Sequence, residues 1–147
     1  MAETDDLKYL RVALIVVGVI FIVGIYPLMV IWPAGWTWHT GHSDYPFMII
    51  GIYATLGVFL IIASRNPLGH LSLIWFTVWS SFVHGGIMAL QTFERPENYG
   101  HLLGDVPALL IVAVVLAVLT PRWKSVQAAT MNLGAERDAA RSHTIGS

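Results

Sequence analysis

The sequence predicts an all-α integral membrane protein: a bundle of four transmembrane helices with both termini in the cytoplasm. Hydrophobic residues make up 56% of the 147 residues and charged residues only 12%, whereas about a quarter of a soluble domain is charged. The hydrophobic residues are concentrated in four runs. Lysine and arginine lie almost entirely on one side of these runs. Composition therefore predicts a membrane protein, and the placement of basic residues predicts how its helices are oriented in the membrane.

The four apolar runs cover residues 12–32, 46–63, 71–91 and 106–119. A bilayer core of ~30 Å needs about 20 helical residues, so each run is read as one crossing, the fourth being the shortest. Pro27 is expected to kink the first helix rather than end it, because membrane helices tolerate proline. A cleaved secretory signal is the alternative for the first run, but a signal core has only about 7 to 15 apolar residues.

The last three runs each begin with a helix-start signal. A polar side chain is followed by a proline in each case: Asp44 with Pro46, Asn66 with Pro67, and Asp105 with Pro107. A side-chain oxygen at such a position can cap free backbone N–H groups, and a proline in the first turn removes no intrahelical donor. We therefore predict helix starts at these three places.

The orientation follows from the eight Lys and Arg residues. All of them except Arg95 fall before the first run, between the second and third runs, or after the fourth. The positive-inside rule makes that side cytoplasmic. We therefore predict a transmembrane domain over residues 1–121 and a cytoplasmic tail over residues 122–147, and the loops around 33–45 and 92–105 should face outward.

Charge and cysteine content exclude several functions. The formal net charge is -1, so the chain has no basic field that would attract nucleic acid. There are no cysteines, which excludes disulfides, thiolate metal sites and cysteine nucleophiles. The expected partners are the lipid bilayer and, through helix faces of small residues, a second copy or a larger membrane complex.

The two outward loops collect polar side chains that can take part in chemistry. These are His39, His42 and Asp44 in one loop, and Glu94, Arg95, Glu97, His101 and Asp105 in the other. Imidazole and carboxylate groups are ligands for zinc, copper, iron or nickel. We therefore consider a transition-metal site formed by His39, His42, His84 and His101. The alternative is that these are polar residues of hydrated loops, with Asp44 and Asp105 as helix caps.

The third run carries a polar stripe that includes its one histidine. Thr77, Ser81, His84, Met88 and Gln91 recur at spacings that place them on one helix face, which should point into the bundle. An acidic or basic side chain at such depth indicates a functional site. The alternative is that the stripe only joins helices by hydrogen bonds, with Gly85 and Gly86 permitting close packing.

Helix direction connects this stripe to the outward loops. His84 precedes Gln91 by seven residues and therefore lies roughly 10 Å below the outer helix end. We predict an outward-facing polar pocket with His84 at its floor. Its residues are expected to be Ser81, His84, Gln91, Glu94, His101 and Asp105.

Haem binding and transport are weaker alternatives. His70 and His84 are fourteen residues apart, a spacing that resembles that of helices which ligate two haems in b-type cytochromes. A partner helix with a matching histidine pair is absent, so haem is disfavoured. A proton-coupled transporter would have to rely on His84 alone, because every carboxylate lies outside the four runs.

Two segments resemble a family of small bacterial four-helix membrane proteins known only as a domain of unknown function. The segments are HGGIMALQ at 84–91 and YGHLLGDVP at 99–107. The resemblance implies the fold size and the bacterial inner membrane, and it carries over no activity. We therefore expect a non-enzymatic accessory or ligand-binding membrane protein. The alternatives are a metal- or haem-dependent redox protein using His84 with the loop histidines, and a small transporter.

Overall fold

The computed structural model describes residues 2–37, 45–94, 96–121, 131 and 134, and its regular structure there is helical throughout. The α-helices are α1 (Ala2–Val19), α2 (Ile25–Ile31), α3 (Pro33–Trp36), α4 (Tyr45–Arg65), α5 (Leu71–Glu94) and α6 (Asp105–Leu119). A π-helical turn, Ile20–Gly24, joins α1 to α2. Two 3-10 helices, Pro67–His70 and Pro96–Leu102, precede α5 and α6. The prediction of an all-α fold is confirmed for this part of the chain.

Four helical segments are long and apolar enough to cross a membrane, as predicted. They cover Leu7–Ile31, Pro46–Arg65, Pro67–Glu94 and Tyr99–Leu119, and we call them spans 1 to 4. The fourth is longer than the apolar run alone indicated, because helical structure before Asp105 adds to it. The predicted tail, 122–147, lies outside the described residues except for Met131 and Gly134, which are helical.

Span 1 continues through Pro27 to Ile31, so the proline does not end it. Pro27 has no N–H to donate to the carbonyl of Val23, four residues earlier. Val23 lies within the π-helical turn, where the regular hydrogen-bond pattern is already interrupted. The predicted continuation of this helix is confirmed.

The predicted helix starts are confirmed at Pro67 and near Asp105, but the capping role predicted for Asp105 is wrong. Gly104 occupies the N-cap of α6, without a side-chain cap bond, and Asp105 is the first helical residue. Its carboxylate bonds instead to His101. Asn66 likewise makes no capping side-chain bond, and Asp44 lies outside the described residues.

The bundle consists of two helix pairs. Helix α1 packs mainly on α4, α5 packs mainly on α6, and α1 also contacts α6, whereas the consecutive helices α4 and α5 touch little. Gly18 and Gly57 allow the first pair to cross closely: a Cβ at Gly57 would lie 2.6 Å from the Gly18 carbonyl oxygen. Gly57 is thus buried at this crossing, whereas Gly51 of the same helix is exposed.

The well-packed core lies in the half of the bundle near the start of α1. Leu10, Leu14, Leu60, Ile74 and Leu116 are fully buried there. We call this half of the bundle, where α1 begins, the N-terminal end of the bundle. The opposite half, where α6 begins, is called the Asp105 end. Because large apolar side chains fill the N-terminal end, the space inside the bundle lies toward the Asp105 end.

The short helix α3 packs on the 3-10 helix Pro96–Leu102 at the Asp105 end. Gly100 lies against the backbone carbonyl of Ala34, and Gly104 lies against that of Gly35, so closely that neither glycine could carry a side chain without a shift. These contacts fix the segment that leads into Asp105.

The outer faces of the spans are apolar. Large hydrophobic side chains are exposed on each of them, among them Val12, Val16, Ile52, Phe59, Phe76, Phe82, Val114 and Val118. Soluble monomers rarely expose apolar surfaces of this extent. This is the surface expected of helices that contact lipid.

Candidate functional site

The candidate site is a cavity of about 630 Å³ in the Asp105 half of the bundle. All four spans contribute to its wall. The described lining residues are Ile20, Phe21, Ile25, Met29, Trp36, Pro46, Ile49, Tyr53, His84, Met88, Gln91, Asp105, Ala108, Leu109, Ile111 and Val112. Most of this lining is apolar, with Tyr53, His84, Gln91 and Asp105 as the principal polar groups. Such a cavity has the size and composition of small-molecule sites in general.

His84 forms an inter-helix hydrogen bond with Tyr53 of α4. The Tyr53 hydroxyl oxygen and His84 Nδ1 are 3.0 Å apart. Tyr53 lies eight residues after the start of α4 at Tyr45, and His84 lies ten residues before the end of α5 at Glu94. The two residues are thus about 12 Å and about 15 Å from the Asp105 ends of their antiparallel helices. They meet because they lie at similar depths.

In either neutral tautomer, this pair retains one proton beyond the one in its internal hydrogen bond. When the neutral imidazole carries its proton on Nε2, the Tyr53 hydroxyl donates to Nδ1 and the Nε2–H is the further donor. When the proton is on Nδ1, that N–H donates to the tyrosine oxygen, and the hydroxyl keeps its own proton. In both tautomers, the pair offers one N–H or O–H group in addition to its internal bond.

Asp105 joins this pair to the segment that precedes α6. Its Oδ2 atom is 2.9 Å from His101 Nδ1, and both side chains are buried. Asp105, Tyr53 and His84 line the same cavity. As an acidic group in the first turn of α6, Asp105 is in addition favourably placed at the positive end of the helix dipole. Asp105 is therefore a buried acidic group on the wall of the same cavity as His84.

The residues predicted for the pocket are only partly brought together. His84, Gln91 and Asp105 line the cavity. His101 is buried and bonds to Asp105 but is not among the lining residues, Ser81 is buried outside the lining, and Glu94 is exposed. Three of the six predicted pocket residues therefore line the cavity. His101 is joined to it through Asp105, and Ser81 and Glu94 do not take part in it.

The polar stripe of α5 faces inward, as predicted, but it does not act mainly between helices. Thr77, Ser81 and Met88 are buried. The Thr77 hydroxyl donates to the Leu73 carbonyl of its own helix, 2.9 Å away. Gly85 packs on α6 at Leu109, while Gly86 faces open space. In the stripe, it is His84 that bonds across to another helix.

The metal hypothesis gains no support from the described residues. Within them, no group of three or more His, Asp or Glu side chains could hold a metal ion. His84 and His101 are engaged with Tyr53 and Asp105 respectively, and His39 and His42 lie outside the described residues. His70, in the 3-10 helix before α5, bonds through Nδ1 to the Asn66 carbonyl, 3.0 Å away. The metal site remains a prediction.

Tyr53 is the main site residue that the sequence pattern did not single out. It is the tyrosine in the middle of the second apolar run, and a buried phenol usually finds a hydrogen-bond partner. Counting helical rise from the outer ends of the second and third runs places it level with His84, a signal that could have identified it. Trp36 and Phe21 were also not foreseen as lining residues, since apolar residues carry no such signal.

The fold and site define an all-helical protein with four membrane-length helices around an apolar cavity with a polar cluster. The chain belongs to the family of unknown function DUF6632, which it matches over residues 4–140. The predicted membership of an uncharacterised family is thereby confirmed. No curated protein and no solved structure matches the chain.

Proposed function

We propose that this protein is a multi-pass membrane protein that binds a small molecule in the cavity formed by its four spans. Both termini are cytoplasmic, and the Asp105 end faces outward. The role is non-enzymatic: the protein serves as a binding protein or as an accessory subunit of a larger membrane complex. The bacterial inner membrane is part of the proposal and rests on the resemblance of residues 84–91 and 99–107.

The membrane assignment is supported by the length, composition and surface of the helices. The four spans are long and apolar enough to cross a bilayer, and their exposed faces are hydrophobic. The basic residues favour the N-terminal end as the cytoplasmic side.

One observation carries the binding proposal: a large cavity remains inside a small bundle, and four polar side chains point to it from three helices. Protein interiors are otherwise close-packed, and a void deprives its lining atoms of contacts. Tyr53, His84, Gln91 and Asp105 can fix the orientation of a molecule, and the apolar lining can remove the rest of it from water.

Native mass spectrometry of the protein released from lipid nanodiscs tests this proposal. We expect wild type to carry a co-purified small molecule. Ala108→Trp, which fills the cavity from α6, should abolish that adduct, and Ile49→Trp should do the same from α4. Val114→Trp is the matched control, because Val114 is exposed on the outer face of α6.

Occupancy that is equal in wild type, Ala108→Trp and Ile49→Trp would contradict binding in this cavity, as would an empty wild type. Because a tryptophan in the cavity could overpack the bundle, the thermal unfolding of each variant is measured in parallel. Adduct occupancy is then compared between wild type and the cavity-filling variant whose thermal unfolding temperature matches that of Val114→Trp.

A further inference from the structure

We propose that the ligand is an uncharged lipid-like alcohol, which enters the cavity sideways from the bilayer between spans 1 and 4. Its hydroxyl head lies at the Tyr53, His84 and Asp105 cluster, and its apolar tail extends toward Ile20 and Ile111. This inference rests on the proposed binding function and specifies the class of ligand and its route.

The lateral opening is indicated by two lining residues that also belong to the outer surface. Ile20 is 44% exposed and Ile111 is 62% exposed, although both line the cavity. On α6, Ile111 shares its exposed face with Val114 and Val118. The rim of the cavity thus coincides with the outer faces of spans 1 and 4.

The depth of this opening decides what can pass through it. Ile20 lies near the middle of span 1, and Ile111 lies six residues from Asp105 in α6, about 9 Å along the helix. Around this position the neighbouring exposed residues are aliphatic. An opening at this depth faces hydrocarbon rather than water, so the molecules that reach it are those dissolved in the bilayer.

The charge of the cluster disfavours an anionic head group. Asp105 places a carboxylate at this end of the cavity, and neither lysine nor arginine occurs among the described lining residues. An anionic head would meet like charge in a medium of low dielectric constant. A hydroxyl suits the cluster, because it can donate to the carboxylate, which accepts several hydrogen bonds, and can accept the proton that the Tyr53 and His84 pair retains.

The rest of the wall fits an apolar tail. Phe21, Ile25 and Met29 of span 1 and Leu109 and Val112 of α6 line the cavity. Moving a tail from lipid into this wall gains little free energy, because lipid chains are as apolar as the lining. Affinity therefore depends on the polar contacts, and this makes the head group the determinant of selectivity.

Photolabelling in nanodiscs tests the inference. The probe is a long-chain alcohol with a diazirine in its tail, and the comparison probes are the fatty acid and the alkyl amine of the same chain. We expect the alcohol to label cavity residues of wild type, with mapping by peptide mass spectrometry, and the fatty acid to label them several-fold less. Labelling by the amine that equals or exceeds labelling by the alcohol would overturn the assignment of an uncharged head.

The route is tested with variants at the rim. Ile111→Trp and Ile20→Trp should each reduce labelling of the cavity by the alcohol several-fold. Val118→Trp and Val16→Trp are the matched controls on the same outer faces and should label like wild type. Cavity labelling that is unchanged in both rim variants would overturn the lateral route.

The two proposals fail in different ways. A co-purified adduct that Ala108→Trp removes, combined with no cavity labelling by the alcohol, would overturn the alcohol assignment and leave the binding function standing. An absent adduct together with absent labelling by all three probes would overturn both.

Discussion

At the scale of single residues, the site depends on two hydrogen-bonded pairs. His84 stood out in the sequence as the histidine within an apolar run, and its partner is Tyr53 on another helix. His101 and Asp105 lie four residues apart in sequence and form the second pair. Tyr53, His84 and Asp105 line the same cavity and His101 bonds to Asp105, so the four residues form one polar cluster.

Tyr53→Phe should weaken the contact between α4 and α5 by removing the hydroxyl that meets His84. A double-mutant cycle with His84→Leu is expected to give a coupling free energy of about 0.6 to 1.7 kcal/mol, as for other hydrogen bonds between membrane helices. The measurement is reversible unfolding in mixed micelles. Tyr9→Phe, at an exposed tyrosine, is the control, and a coupling near zero would contradict the pairing.

Asp105→Asn should destabilise the protein, because the amide keeps the shape of the side chain but removes the charge that holds His101. Hydrogen bonds to charged groups contribute about 1.5 to 3 kcal/mol, and we expect a loss in the free energy of unfolding of that order. Glu94→Gln, the control, removes a carboxylate that is exposed and should change the free energy of unfolding little. Equal stability of the two variants would show that the Asp105 charge is not structural.

At the scale of helices, hydropathy predicted the number of membrane-length helices, and pairs of a polar residue with a proline predicted the starts at Pro67 and near Asp105. The residue that caps a helix start was harder to predict. Asp105 is a residue type that commonly caps helices, but here it is the first residue inside the helix. Gly104 packs against Gly35 and occupies the cap position, and the Asp105 carboxylate bonds to His101. A local signal cannot distinguish these outcomes, since the competing partner comes from the tertiary structure.

The crossing of α1 and α4 gives a prediction at this scale. A Cβ at Gly18 would lie 2.7 Å from the Gly57 carbonyl oxygen and 2.8 Å from a side-chain carbon of Ile61. Gly18→Ala should therefore force the helices apart and cost about 1 to 3 kcal/mol in unfolding free energy.

Gly51→Ala is the matched control for this crossing. No atom lies within 4 Å of its added Cβ, and replacing a helical glycine by alanine should stabilise the helix by roughly 0.5 to 1 kcal/mol. Unfolding in mixed micelles measures both variants. Opposite signs for the two substitutions are expected, and the same sign would contradict the close crossing.

At the scale of the whole molecule, the cavity results from how the helix pairs are joined. The pairs α1 with α4 and α5 with α6 meet through α1 and α6, while α4 and α5 touch little. Large side chains close the N-terminal end, so the space between the pairs remains open at the Asp105 end. A ligand in that space would contact both pairs.

The proposed orientation can be tested cleanly because the chain has no cysteine. Leu68→Cys and Leu103→Cys place one thiol each at the N-terminal end and the Asp105 end, at leucines that are both exposed. We expect a membrane-impermeant maleimide to label Leu103→Cys in intact cells and Leu68→Cys only after permeabilisation. The reverse pattern would invert the topology and turn the cavity toward the cytoplasm.

Hydropathy and the distribution of charge along the chain sufficed to predict four membrane-length helices, because helix formation and burial in lipid depend on local composition. They also identified His84, Gln91 and Asp105, since polar groups are conspicuous in apolar surroundings. The cavity, the pairing of His84 with Tyr53 and the lateral rim at Ile20 and Ile111 emerged only from the packed chain. These features depend on which helices pair and at what register, and apolar helices with similar outer and inner faces do not encode that choice in any local pattern.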